Sequence, residues 1–249
     1  PVNRNPDKIS TTTTPEQMRS NHRVGKISAM IGVEGGHMIE DSLPYLDSLY
    51  KRGVRYMTLT WNNSNSWATS AMEESGEKPL PFKGLTAFGK QVVHRMNELG
   101  MLVDLSHVGE QTFWDAINTV NKPVIVSHSC VYNICPVYRN LKDDQIKAVG
   151  KNGGVIHLNF YSQFVDSSFR SRAGTFYQKH RAERDSLVQA KGRSDANEIL
   201  FAKYPDEVAN LRPPLSLLLD HLDYIVKLIG VDHVGLGSDF DGISSTPQQ

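Results

Sequence analysis

Val103-Asp104-Leu105-Ser106-His107 and Val124-Ile125-Val126-Ser127-His128 decide how this chain folds. Each is a short apolar run that closes on Ser-His, and the two histidines stand 21 residues apart. Residues 110–118, with Phe113, Trp114 and Ile117, read as a helix between them, and Pro123 opens the second run. The spacing fits strand, loop, helix, loop, strand, which puts the two runs on adjacent parallel strands. Both imidazoles then project from the C-terminal end of one sheet, where a metal-dependent hydrolase gathers its ligands. For the pair taken alone, two satisfied strand-end histidines are the plainer alternative.

Working outward, residues 27–33 form a mostly apolar run that ends on Glu34 and turns through Gly35-Gly36-His37. Apolar strands do not normally finish on a carboxylate unless it has a partner. Residues 54–60 are the next strand and run into Trp61-Asn62-Asn63-Ser64-Asn65-Ser66-Trp67, a polar loop suited to lining a site. Residues 153–160 and 234–238 complete the strands, the last ending on Asp239-Phe240-Asp241-Gly242. Amphipathic stretches separate them, among them 86–99, closed by Gly100, and 215–229. Thr14-Pro15-Glu16-Gln17 signals an earlier helix start, while residues 1–13 read as loop and 73–83 as an excursion. Residues 166–212 are charged and poor in apolar positions, and read as an insertion of solvated helix and loop.

Six continuously apolar strands alternating with helices imply a parallel sheet covered on both faces. Four of them finish on Glu34, His107, His128 and Asp239. Only a barrel brings all strand ends to one mouth, so the expected fold is α/β, a (β/α)8 TIM-like barrel of the metal-dependent hydrolase type. It is expected as one domain over residues 1–249 holding about six of the eight strands, with the first strands preceding Pro1. Residues 1–6 contain neither an initiator Met nor a signal peptide, and residues 244–249 form a polar tail.

Twenty-seven basic and 27 acidic residues cancel, so no basic footprint argues for nucleic acid or an acidic membrane surface. The most apolar stretch, 215–229, is broken by Asp220, His221, Asp223 and Lys227, and falls short of a membrane span. Cys130 and Cys135 form neither a disulfide framework nor a C-x-x-C motif.

Glu34, His107, His128 and Asp239 make a ligand set suited to zinc or another divalent metal. A bound cation brings the pKa of water to about 7, and a neighbouring Asp can take the water's proton and deliver it to a leaving amine. Arg139, 11 residues after His128, is a fitting fork for a substrate carboxylate. Without the other motifs it would read as a surface arginine. The remaining histidines carry less weight: His157 lies inside a strand, His94 and His221 inside helices, and His233 before a strand.

Ile31-Gly32-Val33-Glu34-Gly35-Gly36-His37, the two Ser-His runs and Gly237-Ser238-Asp239-Phe240-Asp241-Gly242 resemble the signatures of the membrane (renal) dipeptidase family. These are the zinc dipeptidases of peptidase family M19, in the amidohydrolase superfamily. The resemblance covers about residues 24–243 without the insertion. It implies a two-zinc centre in which Glu34 bridges the metals and His107 and His128 serve the second one. Asp239 then matches the proton-handling Asp, with Asp241 as the neighbouring alternative, and Arg139 matches the Arg that holds the C-terminal carboxylate of a dipeptide. A homodimer is also what the resemblance implies.

Two departures stand out. The family's first metal takes a His-x-Asp pair, and none occurs before Glu34. After Thr58-Leu59-Thr60 the better-studied members carry a substrate-contacting His, whereas this chain has Trp61, whose indole N–H only donates. Asn62 and Asn63 are the candidates to take over part of that role. Trp61 gives some weight to an alternative to the dipeptide, a shifted substrate that is another amide, a lactone or a β-lactam. The missing pair is the one support for a non-catalytic homologue that has lost its first metal site.

Overall fold

Thr14 caps the first helix as its sequence requires: its hydroxyl accepts from the Gln17 N–H at 3.2 Å, and Pro15 occupies the first turn. In the computed structural model, which describes residues 2–248, the chain divides into two compact units, Pro1–Ile125 and Val126–Gln249. Pro1 of the expected leading loop and Gln249 of the expected tail lie outside the described residues.

The first unit begins with β1 (Ile9–Thr11), α1 (Pro15–Arg23) and β2 (Ile27–Ala29). β1 and β2 pair in parallel as a separate two-stranded sheet, which corrects the expectation of loop over residues 1–13. The run expected as one strand over 27–33 is also two: Met30 interrupts it, and β3 (Ile31–Glu34) joins the main sheet instead. Then come α2 (Leu43–Lys51), β4 (Val54–Thr58), α3 (Ala71–Glu74), α4 (Ala87–Leu99), β5 (Leu102–Asp104) and α5 (Glu110–Thr119). α3 is a single helical turn at the edge of the expected excursion, capped by the Ser70 hydroxyl. Thr86 caps α4 and Gly100 ends it in the left-handed region at φ 73°, as the sequence predicts. β3, β4 and β5 pair in parallel in chain order, and Asp104 pairs with Ile125, the first residue of β6 (Ile125–Ser129). Leu46, Met57, Leu59, Val92, Val93, Met96 and Phe113 are fully buried and form this unit's core.

In the second unit, β6 is followed by α6 (Asp143–Asn152), β7 (Val155–Leu158) and α7 (Ser162–Val165). Next come α8 (Phe169–Lys179), α9 (Arg181–Lys191), α10 (Arg193–Lys203), α11 (Pro205–Ala209), α12 (Leu215–Ile229) and β8 (Val234–Leu236). The strand order of the main sheet is that of the chain, β3 to β8, the parallel α/β arrangement expected from the apolar strands. Ile146, Val149, Ile156, Leu158 and Ile225 are fully buried in the second unit.

The expected solvated insertion has a core of its own. Phe169, Ala173, Phe176, Leu200, Phe201 and Val208 are buried together, with Tyr177, Leu187, Tyr204 and Leu211 packed against them. Phe176 meets Phe201 and Tyr204 edge-on, with ring centroids 5.5 and 6.1 Å apart. Lys203–Glu183 and Lys179–Glu207 ion pairs lie on its exposed surface. Among the described residues, no helix is long and apolar enough to cross a membrane.

Candidate metal centre

The first unit sets two donors against each other. β3 ends on Glu34, which pairs with Thr58 of β4. Gly35 then takes φ 102°, a conformation that costs a side chain dearly, and its N–H donates to the Thr58 carbonyl at 3.2 Å. A Cβ on Gly36 would stand 2.2 Å from the Trp67 ring, so neither glycine of this turn tolerates a larger residue. The chain turns away sharply and leaves the Glu34 carboxylate, about half exposed, at the strand end.

β5 stops at Asp104, so His107 lies in the turn three residues beyond the strand rather than on its last residue. Asp104 is fully buried and braces that turn: it accepts from the Ser106 N–H at 3.1 Å and from the Thr58 hydroxyl at 2.5 Å. His107 itself sits in the left-handed region at φ 64°, unusual for a residue with a side chain and the kind of outlier that gathers at functional sites. Its Nε2 lies 3.2 Å from Glu34 Oε1, and its Nδ1 lies 3.2 Å from Asn62 Oδ1. Trp61 is half exposed, with its ring 6.5 Å from the His107 ring. Burial, with the charges of Asp104 and Glu34 adding to it, holds the Tyr56 hydroxyl above its ordinary range.

An amide oxygen only accepts, so the Asn62 contact assigns the ring proton to Nδ1. Nε2 then faces a carboxylate oxygen, an arrangement that calls for a cation between them, either a proton or a metal. Two ligands about 2.1 Å from one tetrahedral ion stand roughly 3.4 Å apart, close to the separation observed. The donor pair fits a divalent metal.

In the second unit His128 is a buried residue of β6, and its Nδ1 lies 2.8 Å from the Ser127 hydroxyl. Arg139 is buried on the following loop, with its guanidinium 5.4 Å above the Phe164 ring. Asn140 fixes that loop, accepting from the Cys130 N–H and donating to the Cys135 and Phe164 carbonyls. Asp239 follows β8 in the left-handed region at φ 62°. Its Oδ2 accepts from Asn159 Nδ2 at 2.9 Å, while a Cβ on Gly242 would stand 2.4 Å from Oδ1. Asp241 is exposed.

Sequence reading missed Asn159 and gave Asn62 no partner. Asn159 follows β7 as Glu34, His107 and Asp239 end or follow theirs, which was its available signal. Asn63 reaches His37, not His107, with Nδ2 2.9 Å from His37 Nε2. His157 and His233 each place Nδ1 within hydrogen-bond range of a backbone carbonyl, of Val126 and Gly154.

The profile of the membrane dipeptidase family (peptidase family M19) matches residues 2–249. An uncharacterised dipeptidase of Schizosaccharomyces pombe is 38% identical over 224 residues, which are 90% of this chain and 44% of that protein. A metallo peptidase of Rhodobacter sphaeroides, solved with a phosphinate mimic of the dipeptide L-Ala-D-Ala, superposes with a TM-score of 0.74 at 26% identity. That match covers 97% of this chain and 58% of the solved one. An amidohydrolase from Pseudomonas aeruginosa shares the fold, with a TM-score of 0.71 at 20% identity over 95% of this chain and 58% of that one. The chain thus spans about half the length of the relatives it matches. With the profile matched over nearly every residue, the chain belongs to the membrane dipeptidase family, peptidase family M19.

Proposed function

We propose that the protein is a zinc-dependent dipeptidase in which Glu34, His107 and His128, each offering one donor atom, hold a divalent cation. The observation that carries this reading is the 3.2 Å approach of Glu34 Oε1 to His107 Nε2, with the other ring nitrogen already engaged by Asn62. Family membership supports metal-dependent peptidase chemistry, and Glu34 would be this chain's own ligand to a second zinc. A zinc centre supplies a nucleophile from water at neutral pH and polarises the scissile carbonyl.

The chain's own residues are assigned the remaining steps. Asp239 takes a proton from the attacking water on Oδ1 and returns it to the leaving amine, while Asn159 holds Oδ2 by its hydrogen bond. Arg139 fastens the free C-terminal carboxylate of the substrate, and Trp61 lines the site beside His107. The dipeptide mimic in the Rhodobacter sphaeroides relative supports a small substrate of this class. The test is a panel of dipeptides assayed on the full-length gene product, with and without chelator, alongside its metal content. Chelator-sensitive dipeptide turnover that zinc restores is expected. A metal-free preparation with no chelator-sensitive turnover overturns the reading.

A further inference from the structure

We infer that Asn62 is a positioning residue for the metal centre: it fixes the tautomer of His107 so that Nε2 is the ligating nitrogen. The inference rests on the metal reading proposed above and adds a residue to it. His107 Nδ1 lies 3.2 Å from Asn62 Oδ1, an atom that accepts and never donates. The ring proton therefore stays on Nδ1, and the Nε2 lone pair is directed toward Glu34, 3.2 Å away. Metal-binding histidines are held in this way, with the second ring nitrogen donating to an oxygen that orients the ring and raises the basicity of the first.

The loop that carries Asn62 is built to hold such a contact. The Ser70 hydroxyl donates to the Asn62 carbonyl at 2.9 Å, and the Ser70 N–H donates to the Ser64 hydroxyl at 2.9 Å. Asn65 closes the middle of the loop, donating to the Leu59 carbonyl and accepting from the Trp67 and Ala68 N–H groups. The same loop is sewn to the turn bearing His107: the Ala71 N–H donates to the His107 carbonyl at 2.8 Å, and the Gly109 N–H donates to the Thr69 carbonyl at 2.9 Å. These bonds fix both backbones, so the Asn62 amide and the imidazole meet without either having to search for the other. Asn62 stands next to Trp61, the position where the family resemblance called for a histidine; its amide serves the ligand rather than the substrate.

The test compares Asn62→Ala and Asn62→Asp with the parent in the full-length protein, titrated with zinc against a competing chelator. Asn62→Ala loses the acceptor and is expected to weaken zinc binding about 10- to 100-fold. Asn62→Asp keeps an acceptor facing Nδ1 and is expected to bind zinc at least as tightly as the parent. Nitrogen-15 chemical shifts of the His107 ring give a second readout: a protonated Nδ1 is expected in the zinc-loaded parent and in Asn62→Asp. Melting temperatures of the metal-free proteins guard against simple unfolding. Asn62→Ala holding zinc within twofold of a zinc-binding parent overturns the inference alone, as does Asn62→Asp losing as much affinity as Asn62→Ala. A parent that binds no zinc overturns the metal reading and the inference with it.

Discussion

His107 and His221 are both buried imidazoles, one in each unit, and they are wired in opposite senses. His107 donates from Nδ1 to a side-chain amide and turns Nε2 toward a carboxylate. His221, on α12, accepts the Val131 N–H at Nδ1 and donates from Nε2 to the Val165 carbonyl, each at 3.0 Å. Backbone groups consume both of its nitrogens, so it pins the start of the loop after β6 to the end of α7 and keeps no lone pair for a ligand. The difference teaches that burial and residue type do not make a metal ligand. What counts is whether one ring nitrogen is left facing an anion.

The contrast breaks most visibly by deleting each ring. His107→Ala is expected to lower dipeptidase turnover by at least about 1000-fold while leaving the melting temperature nearly unchanged, because losing a metal ligand forfeits several kcal/mol of transition-state stabilisation. His221→Ala should do the reverse. It leaves a cavity and two backbone groups without partners, and is expected to cost about 3 kcal/mol in urea unfolding while metal binding persists. Equal effects of the two substitutions on metal content would erase the distinction.

A smaller effect sharpens it. Burial holds the His221 pKa below its ordinary value of 6.5. The unfolded chain therefore takes up a proton more readily than the folded one, and the stability due to the neutral ring is complete above that value and lost progressively as pH falls below it. Protonation would also set an N–H at Nδ1 against the Val131 N–H. Unfolding midpoints measured between pH 7 and 5 should fall in the parent and flatten in His221→Gln, whose amide does not titrate. An unchanged slope in that variant would place the pH dependence elsewhere.

The strands of the main sheet were largely legible because apolar runs, glycines and charges leave strong marks on a sequence. Glu34 ending an apolar strand before two glycines is such a mark, and the turn it announced is present, with Gly35 at φ 102°. Neutral amides leave a weaker one: Asn159 has only its place after β7, and Asn62 gains its meaning from the His107 nitrogen it faces. The insertion was misread because its core is scattered. Phe169, Ala173 and Phe176 follow a helical i, i+4, i+7 pattern, but Arg170, Arg172 and Lys179 dilute it, and their partners Leu200 and Phe201 lie more than 20 residues away. His221 reads as a helical histidine, since no sequence signal announces that both its nitrogens are answered by main chain.

What lies between Glu34 and His107 decides whether this is a metal centre. Crystals of the full-length protein grown with zinc, measured on both sides of the zinc absorption edge, test it directly. The prediction is an anomalous peak bonded to His107 through Nε2, to the Glu34 carboxylate and to His128. No zinc at these residues, or zinc bound to His107 through Nδ1, would contradict it.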